Sequence, residues 1–376
     1  MVEERRAGPA APGGVLDQYV GGRRGAPAPV WLDGWSALAS LRAGYNAPTM
    51  LRAKIVGTGR GVPEKLLTNA DLEKIVETTD EWITTRTGIK ERHVVSPGDK
   101  FSDLATEAAR GALDAAGVAA ADLDMVLVGT VSSDMLFPST ACLVQHNIGA
   151  TKAAASDLSA ACTGFLYGVH LADGLIQSGK AENVLLVGGE ILSRYVDWTD
   201  RSTCVLFGDG AGAVVLQATR GDHGVLGTAM KSNGNYGDFI CMPGGGSSRP
   251  ANDAKSIEER LPFIKMKGNE TFKIAVRAMA DVSTEVLEEQ GFTHDDIQLL
   301  IPHQANERII DAVGKQLKID PAKVYKNIEH YGNTSAASIP IALDECVRGG
   351  RVKAGDLVLL TAFGAGLTWG AVLMRW

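Results

Sequence analysis

One half of this chain repeats the other. Ala116-Gly117, followed by Asp122-Leu123-Asp124-Met125-Val126-Leu127, lines up with Gln290-Gly291 and Asp296-Ile297-Gln298-Leu299-Leu300-Ile301 at a constant offset of 174 residues. The phase holds upstream, with Leu113 falling on Leu287 and Ala108 on Val282. Further on, Phe207-Gly208-Asp209-Gly210 answers Phe363-Gly364-Ala365-Gly366. Between them "CTGFLYGVHLADGLI" (162–176) matches "NTSAASIPIALDECV" (333–347), which sets Cys162 opposite Asn333. Such a chain folds as two like halves facing each other, and equivalent positions meet at their interface.

Each half has the texture of an α/β layer. A helix is expected over 102–116, and short apolar runs at 124–130, 183–189, 212–216, 298–303 and 357–363 read as buried strands. Residues 1–49 differ, being rich in Ala, Gly, Pro and Arg. They read as an N-terminal extension, disordered or loosely docked, with Met50 as a natural start. The expected division is therefore 1–49, an N-terminal half over 50–220 and a C-terminal half over 221–376. A net charge of −7 without a basic stripe argues against a general nucleic-acid binder. Five scattered cysteines without a CxxC pair suit a reducing cytosol and give neither a disulfide framework nor a zinc site. No apolar run reaches 18 residues, and "MVEERRAGPAAPGG" is no secretory signal, so a cytoplasmic protein is expected.

Three polar residues stand where a packed core does not need them. Cys162, in "SAACTGF", follows a strand-like segment and opens a helix; the dipole there is expected to lower its pKa. His303 ends "QLLIPH", just beyond the carboxyl end of a buried strand, where open α/β sheets place their sites. Asn333 sits at the turn "HYGNTSAAS". Core filler, structural histidine and N-cap are the plain alternatives. Together the three look like a nucleophile with two hydrogen-bond partners. "GTGRG" (57–61) is not a nucleotide loop, because Pro63 follows and the spacing of GxGxxG is absent. "FGDGAG" (207–212) reads as a turn built for close packing.

The segments "DLSAACTGF", "PHQAN" and "YGNTSAAS" resemble the three active-site segments of β-ketoacyl-acyl-carrier-protein synthase III, a condensing enzyme of the thiolase superfamily. The likeness runs in order through "TTDEWITTRTGIKERH", "FPSTACLVQ", "DWTDRSTCVLFGDGAGAVV" and "AFGAGLTWGA", covering essentially all of 50–376. It implies an α/β, duplicated thiolase-like fold, five-layered αβαβα, with two pseudo-symmetric halves. It also implies that Cys162 takes an acyl group from acyl-CoA, and that His303 and Asn333 stabilise the enolate formed when malonyl-acyl carrier protein loses CO2. By the same resemblance the backbone N–H groups of Cys162 and Ala365 hold the oxyanion. Trp82, Arg86, Thr87, Arg201, Asn269 and Asn306 bind CoA, and Phe137 (from a second subunit) and Phe207 shape the acyl pocket. Lys273 and Arg308 meet the carrier protein. A homodimer and no cofactor or metal are implied. Trp82 as a helix anchor, and Lys273 and Arg308 as ordinary solvated charges, stay open.

Other readings differ in identifiable residues. A thiolase carries a second cysteine in the closing segment, where "AFGAGLTWG" has none, and an elongating synthase has a histidine where Asn333 stands. Hydroxymethylglutaryl-CoA synthase needs an acidic general acid near the nucleophile, for which no convincing match is seen. A synthase of polyketide or quinolone starters remains the nearest alternative, and a non-catalytic CoA- or carrier-binding module the more distant one. The acyl primer is expected to depend on Phe137 and the loops near 135–145 and 235–262.

Overall fold

A computed structural model describes residues 51–376. The expected extension over 1–49 and the expected start at Met50 lie outside the described residues. One sheet contains β1 (Leu51–Gly61), β2 (Met125–Gly129), β3 (Ala154–Leu158), β4 (Asn183–Glu190) and β5 (Gly210–Arg220), in the order β1-β5-β4-β2-β3. A second contains β6 (Gly224–Ser232), β7 (Leu299–Pro302), β8 (Leu357–Gly364) and β9 (Thr368–Arg375), in the order β6-β9-β8-β7. In the first sheet the β1/β5 and β5/β4 pairs are antiparallel and the β4/β2 and β2/β3 pairs parallel. In the second, β6/β9 and β9/β8 are antiparallel and β8/β7 parallel. The two sheets thus share one topology, strand for strand. Only β3 lacks a full counterpart, its place being marked by a single parallel bridge between Leu300 and Val324.

Alternation along the strands builds the layers. Successive side chains of a strand point to opposite faces, so β2 turns Val126 and Val128 one way and Leu127 the other. The valines join the core under α2 (Phe101–Ala116) and α3 (Thr140–Ile148). Leu127 faces a central core that also takes Leu299 and Ile301 of β7 and Val358 and Leu360 of β8. The apolar faces of α4 (Gly164–Gln177) and α7 (Ser338–Arg348) fill that central layer. On the far side, Leu300, Leu357 and Leu359 pack with α5 (Gly268–Glu289) and α6 (Glu307–Gln316). Helix, sheet, helix, sheet, helix follow in turn, the five-layered thiolase-like arrangement.

The structure corrects the repeat at two points. The strands β4 and β8 correspond end for end at an offset of 174, so Gly364 answers Glu190 and Phe363–Gly366 does not answer Phe207–Gly210. Ala161–Thr163 and Ser335–Ala337 are matching single 3-10 turns, each followed by a central helix, and each opens on a residue of positive φ, Ala161 at 46° and Ser335 at 51°. Their offset is 174, so Cys162 corresponds to Ala336, and Asn333 to Ser159, rather than Cys162 to Asn333. The match of 162–176 to 333–347 is therefore about one helical turn out of register. A shift of three residues nearly preserves the apolar stripe of a helix, which is why pattern matching tolerates it.

Both central helices approach the sheets at glycine. A Cβ added at Gly129, the end of β2, would lie 2.7 Å from the carbonyl carbon of Gly164, the first residue of α4. Gly164 therefore serves close helix–strand contact. The "FGDGAG" turn is closely packed as expected, since a Cβ at Gly208 would stand 2.2 Å from the Tyr331 carbonyl oxygen. Gly129→Ala is expected to lower stability by about 1–3 kcal/mol, the usual cost of overpacking against backbone. Chemical denaturation measures it, and a neutral result would show that α4 can shift.

Candidate active site

Cys162 lies in the 3-10 turn between β3 and α4, and Gly364, the last residue of β8, runs directly beside it. A Cβ at Gly364 would stand 2.9 Å from the Cys162 backbone nitrogen, so no other residue permits this approach. The thiol accepts a 3.3 Å hydrogen bond from the Ser335 hydroxyl. Part of Cys162 faces open space, yet protein surrounds it closely enough that burial pushes its pKa up to about 11. The Ser335 bond pulls the other way, and the buried Glu190 carboxylate adds to the rise. The lowering expected at the helix terminus is therefore overcome by desolvation.

His303 follows β7 and is 3% exposed. Its backbone N–H donates to the Thr361 carbonyl at 2.8 Å, and Nδ1 lies 2.7 Å from the Ser338 hydroxyl. Burial brings the imidazole pKa down to about 4, so the ring is neutral at pH 7. Asn333 is tied to the segment 206–208 on both sides. Its N–H donates to the Leu206 carbonyl at 2.8 Å, and its carbonyl accepts from the Gly208 N–H at 3.0 Å. Its Oδ1 accepts from the Ser335 N–H at 2.9 Å, which leaves the Nδ2 amide hydrogens to serve as donors.

Two cavities meet at Cys162. The larger, about 620 Å³, is lined by Cys162, His303 and Asn333, with Trp82, Arg86 and Arg308 among its other lining residues. Thr87, Asn269, Lys273, Asn306 and Phe207 also line it. The smaller, about 170 Å³, has a largely apolar wall that includes Val131, Leu192, Phe207, Ile240 and Ile264, with Ser335 and Ala365 near the thiol. Ala365 is not among the residues of positive φ, so alanine fits its backbone without strain.

Several expected residues are engaged with neighbouring protein groups. The Arg86 and Arg201 guanidinium carbons lie 5.0 and 4.7 Å from the Trp82 ring centroid, beside α1 (Asp80–Thr87). A base between Trp82 and Arg201 needs roughly 7 Å, two van der Waals layers, so Arg201 must swing aside to admit one. The Thr87 hydroxyl donates to the Ile83 carbonyl at 2.7 Å and accepts from the Ile89 N–H at 3.0 Å. Asn306 caps α6 by accepting from the Arg308 N–H at 2.9 Å, while its amide donates to the Arg86 carbonyl at 3.0 Å. The Arg308 guanidinium lies over Phe272 at 5.6 Å. Phe137 is 83% exposed and lines neither cavity of its own chain, and residues 135–145 contribute nothing to the small one. Ile240, Cys241 and Met242 of the other expected loop do line it.

Ser335 and Ser338 escaped the sequence reading. Alignment of the halves at 174 throughout sets Ser335 on Ala161, next to Cys162, and would have exposed it. Among the described residues, no group of three His, Cys, Asp or Glu is placed to hold a metal, and no helix is long and apolar enough to cross a membrane.

The fold and this junction define a thiolase-fold condensing enzyme. Family models described as 3-oxoacyl-(acyl-carrier-protein) synthase III and its C-terminal part match residues 156–234 and 287–376. The chain is 53% identical to the β-ketoacyl-(acyl-carrier-protein) synthase III of Caldanaerobacter subterraneus, over 87% of this chain and 98% of that protein. The crystal structure of 3-oxoacyl-(acyl-carrier-protein) synthase III from Aquifex aeolicus matches with 50% identity and a TM-score of 0.80, covering 86% of this chain and 100% of that one. The priming β-ketosynthase of the R1128 polyketide pathway matches with 32% identity and a TM-score of 0.81, over 88% of this chain and 98% of that one. The chain belongs to the 3-oxoacyl-(acyl-carrier-protein) synthase III family.

A thiol held near pKa 11 stays mostly protonated across the neutral range. Iodoacetamide alkylation of Cys162, followed on its own peptide by mass spectrometry, should rise about tenfold per pH unit from 6 to 9 without a plateau. A plateau near pH 7 would show an activated thiolate.

Proposed function

We propose that this chain starts fatty-acid synthesis by joining an acyl group from acyl-CoA to malonyl-acyl carrier protein with loss of CO2. The observation that carries the reading is that Cys162, His303 and Asn333 line one cavity, and Cys162 also lines a second, largely apolar one. Acyl-CoA enters by the large cavity, with its adenine end near Trp82, Arg86 and Arg201 and its pantetheine past Thr87, Asn269 and Asn306. The Cys162 sulfur attacks the thioester carbonyl and gives up its proton as CoA leaves. The oxyanion is held by the N–H groups of Cys162 and Ala365, and the acyl chain passes beside Phe207 into the small cavity. The small, largely apolar cavity of about 170 Å³ suits the acyl chain of a primer.

The malonyl thioester then follows the same route, its carrier docking near Lys273 and Arg308. His303 and Asn333 donate to its carbonyl oxygen. As the carboxylate leaves as CO2, its bonding pair becomes the enolate that these donors stabilise. The enolate carbon attacks acyl-Cys162, and the tetrahedral intermediate releases the sulfur and the 3-oxoacyl product. A neutral imidazole suits this step, because it donates without having to be charged. The chemistry uses only the two thioesters and these side chains, with neither cofactor nor metal, and a cytoplasmic setting follows from such substrates. The exposed Leu136 and Phe137 are proposed to be covered by a second copy of the chain, as a homodimer.

Mass spectrometry tests the sequence of steps. With acetyl-CoA, the wild-type chain should gain one acetyl group and Cys162→Ser none. His303→Ala and Asn333→Ala should still be acetylated, yet condense with malonyl-acyl carrier protein about 10²–10³ times more slowly. Undiminished condensation would remove these two residues from the mechanism. Condensation with free malonyl-CoA but not with the carrier thioester would favour the starter-synthase alternative.

A further inference from the structure

We propose that Ser338 is a positioning residue that fixes the His303 tautomer, so that the ring presents Nε2–H to the substrate carbonyl. The inference rests on the reading of His303 as a hydrogen-bond donor in the condensation. Ser338 is 3% exposed and begins α7, and two groups meet its oxygen: His303 Nδ1 at 2.7 Å and the Gln304 N–H at 3.3 Å. The amide can only donate, so it takes one lone pair of the hydroxyl. The serine carries one proton, and the other polar group meeting its oxygen is His303 Nδ1. Spending the proton there makes Nδ1 an acceptor and leaves the proton of the neutral ring on Nε2. The opposite tautomer would give Ser338 two donors and leave its own proton buried without an acceptor.

The arrangement is held from behind. The Gln304 side chain donates to the Pro302 and Tyr325 carbonyls at 2.7 and 3.2 Å and accepts from the Asn327 N–H at 3.1 Å. That clamp fixes the strap carrying His303 and aims the Gln304 N–H at Ser338. Burial keeps the ring uncharged, so a tautomer choice exists to be made. An Nδ1–H ring would turn a lone pair toward the developing enolate and oppose it.

Full-length chain labelled with 15N-histidine tests this directly, since a multiple-bond 1H–15N spectrum reads which ring nitrogen bears the proton. The wild-type spectrum should show His303 protonated on Nε2, and a ring protonated on Nδ1 overturns the proposal whatever the enzyme's activity. In Ser338→Ala, kcat for decarboxylation of malonyl-acyl carrier protein should fall roughly 10- to 100-fold, the scale of losing an orienting partner. Its KM and the acetylation of Cys162 by acetyl-CoA should hold. Ser338→Thr, which keeps the hydroxyl, should restore most of the rate. Unchanged decarboxylation in Ser338→Ala also overturns the proposal. A wild-type chain that never decarboxylates the malonyl thioester would instead refute the functional reading and leave the spectrum to judge the tautomer.

Discussion

Backbone meets backbone at the centre of this molecule, and the site exists because nothing larger than hydrogen stands between. Gly129 touches Gly164 at the start of α4, and Gly364 touches Cys162. These contacts draw the amino ends of the central helices onto the ends of the strands. They bring the thiol from one half beside β8 of the other, with Ala365 immediately beyond. The duplication supplies the frame, and the glycines set how closely its halves close on the thiol.

The halves differ at the ends of two equivalent strands. Gly364 ends β8 and makes room for Cys162, whereas its counterpart at the end of β4 is Glu190. That carboxylate is fully buried and accepts from the Thr130 and Ser132 hydroxyls at 3.0 and 2.5 Å and from the Val131 N–H at 3.1 Å. Burial brings its pKa up to about 7. It fixes the loop that presents Val131 to the small cavity, and its charge also opposes ionisation of the thiol. Around the thiol desolvation is thus the largest cause of the shifts, raising the pKa of Cys162 and of Glu190 and lowering that of His303. Such a region favours neutral hydrogen-bond donors over standing ion pairs, which suits stabilisation of charge only as it develops.

Much of this was legible in the sequence. The strands at 125–129, 183–190, 299–302 and 357–364 and the helix at 101–116 fall where apolar runs and helical spacing put them. Their signals are strong because they are buried on both faces. The edge strand β6 went unread, since "GVLGTAMKS" mixes glycine and polar residues with few apolar ones. Cys162, His303 and Asn333 were recognisable as candidates, but the register linking the two helices was not, because one helical turn barely changes an apolar stripe. The thiol's environment was also hidden: a helix terminus is visible in sequence, whereas the extent of burial opposing it depends on how the halves close. Ser335 and Ser338 look like ordinary small residues of a helix start; the constant offset places Ser335 beside the thiol, but their hydrogen bonds to Cys162 and His303 emerge only from the fold.

Cys162 lines both the large cavity and the small apolar one, and the proposed chemistry needs the first to deliver thioesters and the second to keep the acyl group. A crystal structure of the acetylated chain tests this most directly. The acetyl oxygen should lie within hydrogen-bond distance of the Cys162 and Ala365 N–H groups, with the methyl directed into the cavity lined by Leu192, Phe207 and Ile264. An acetyl group turned back into the large cavity, with its oxygen on His303 and Asn333, would contradict the account.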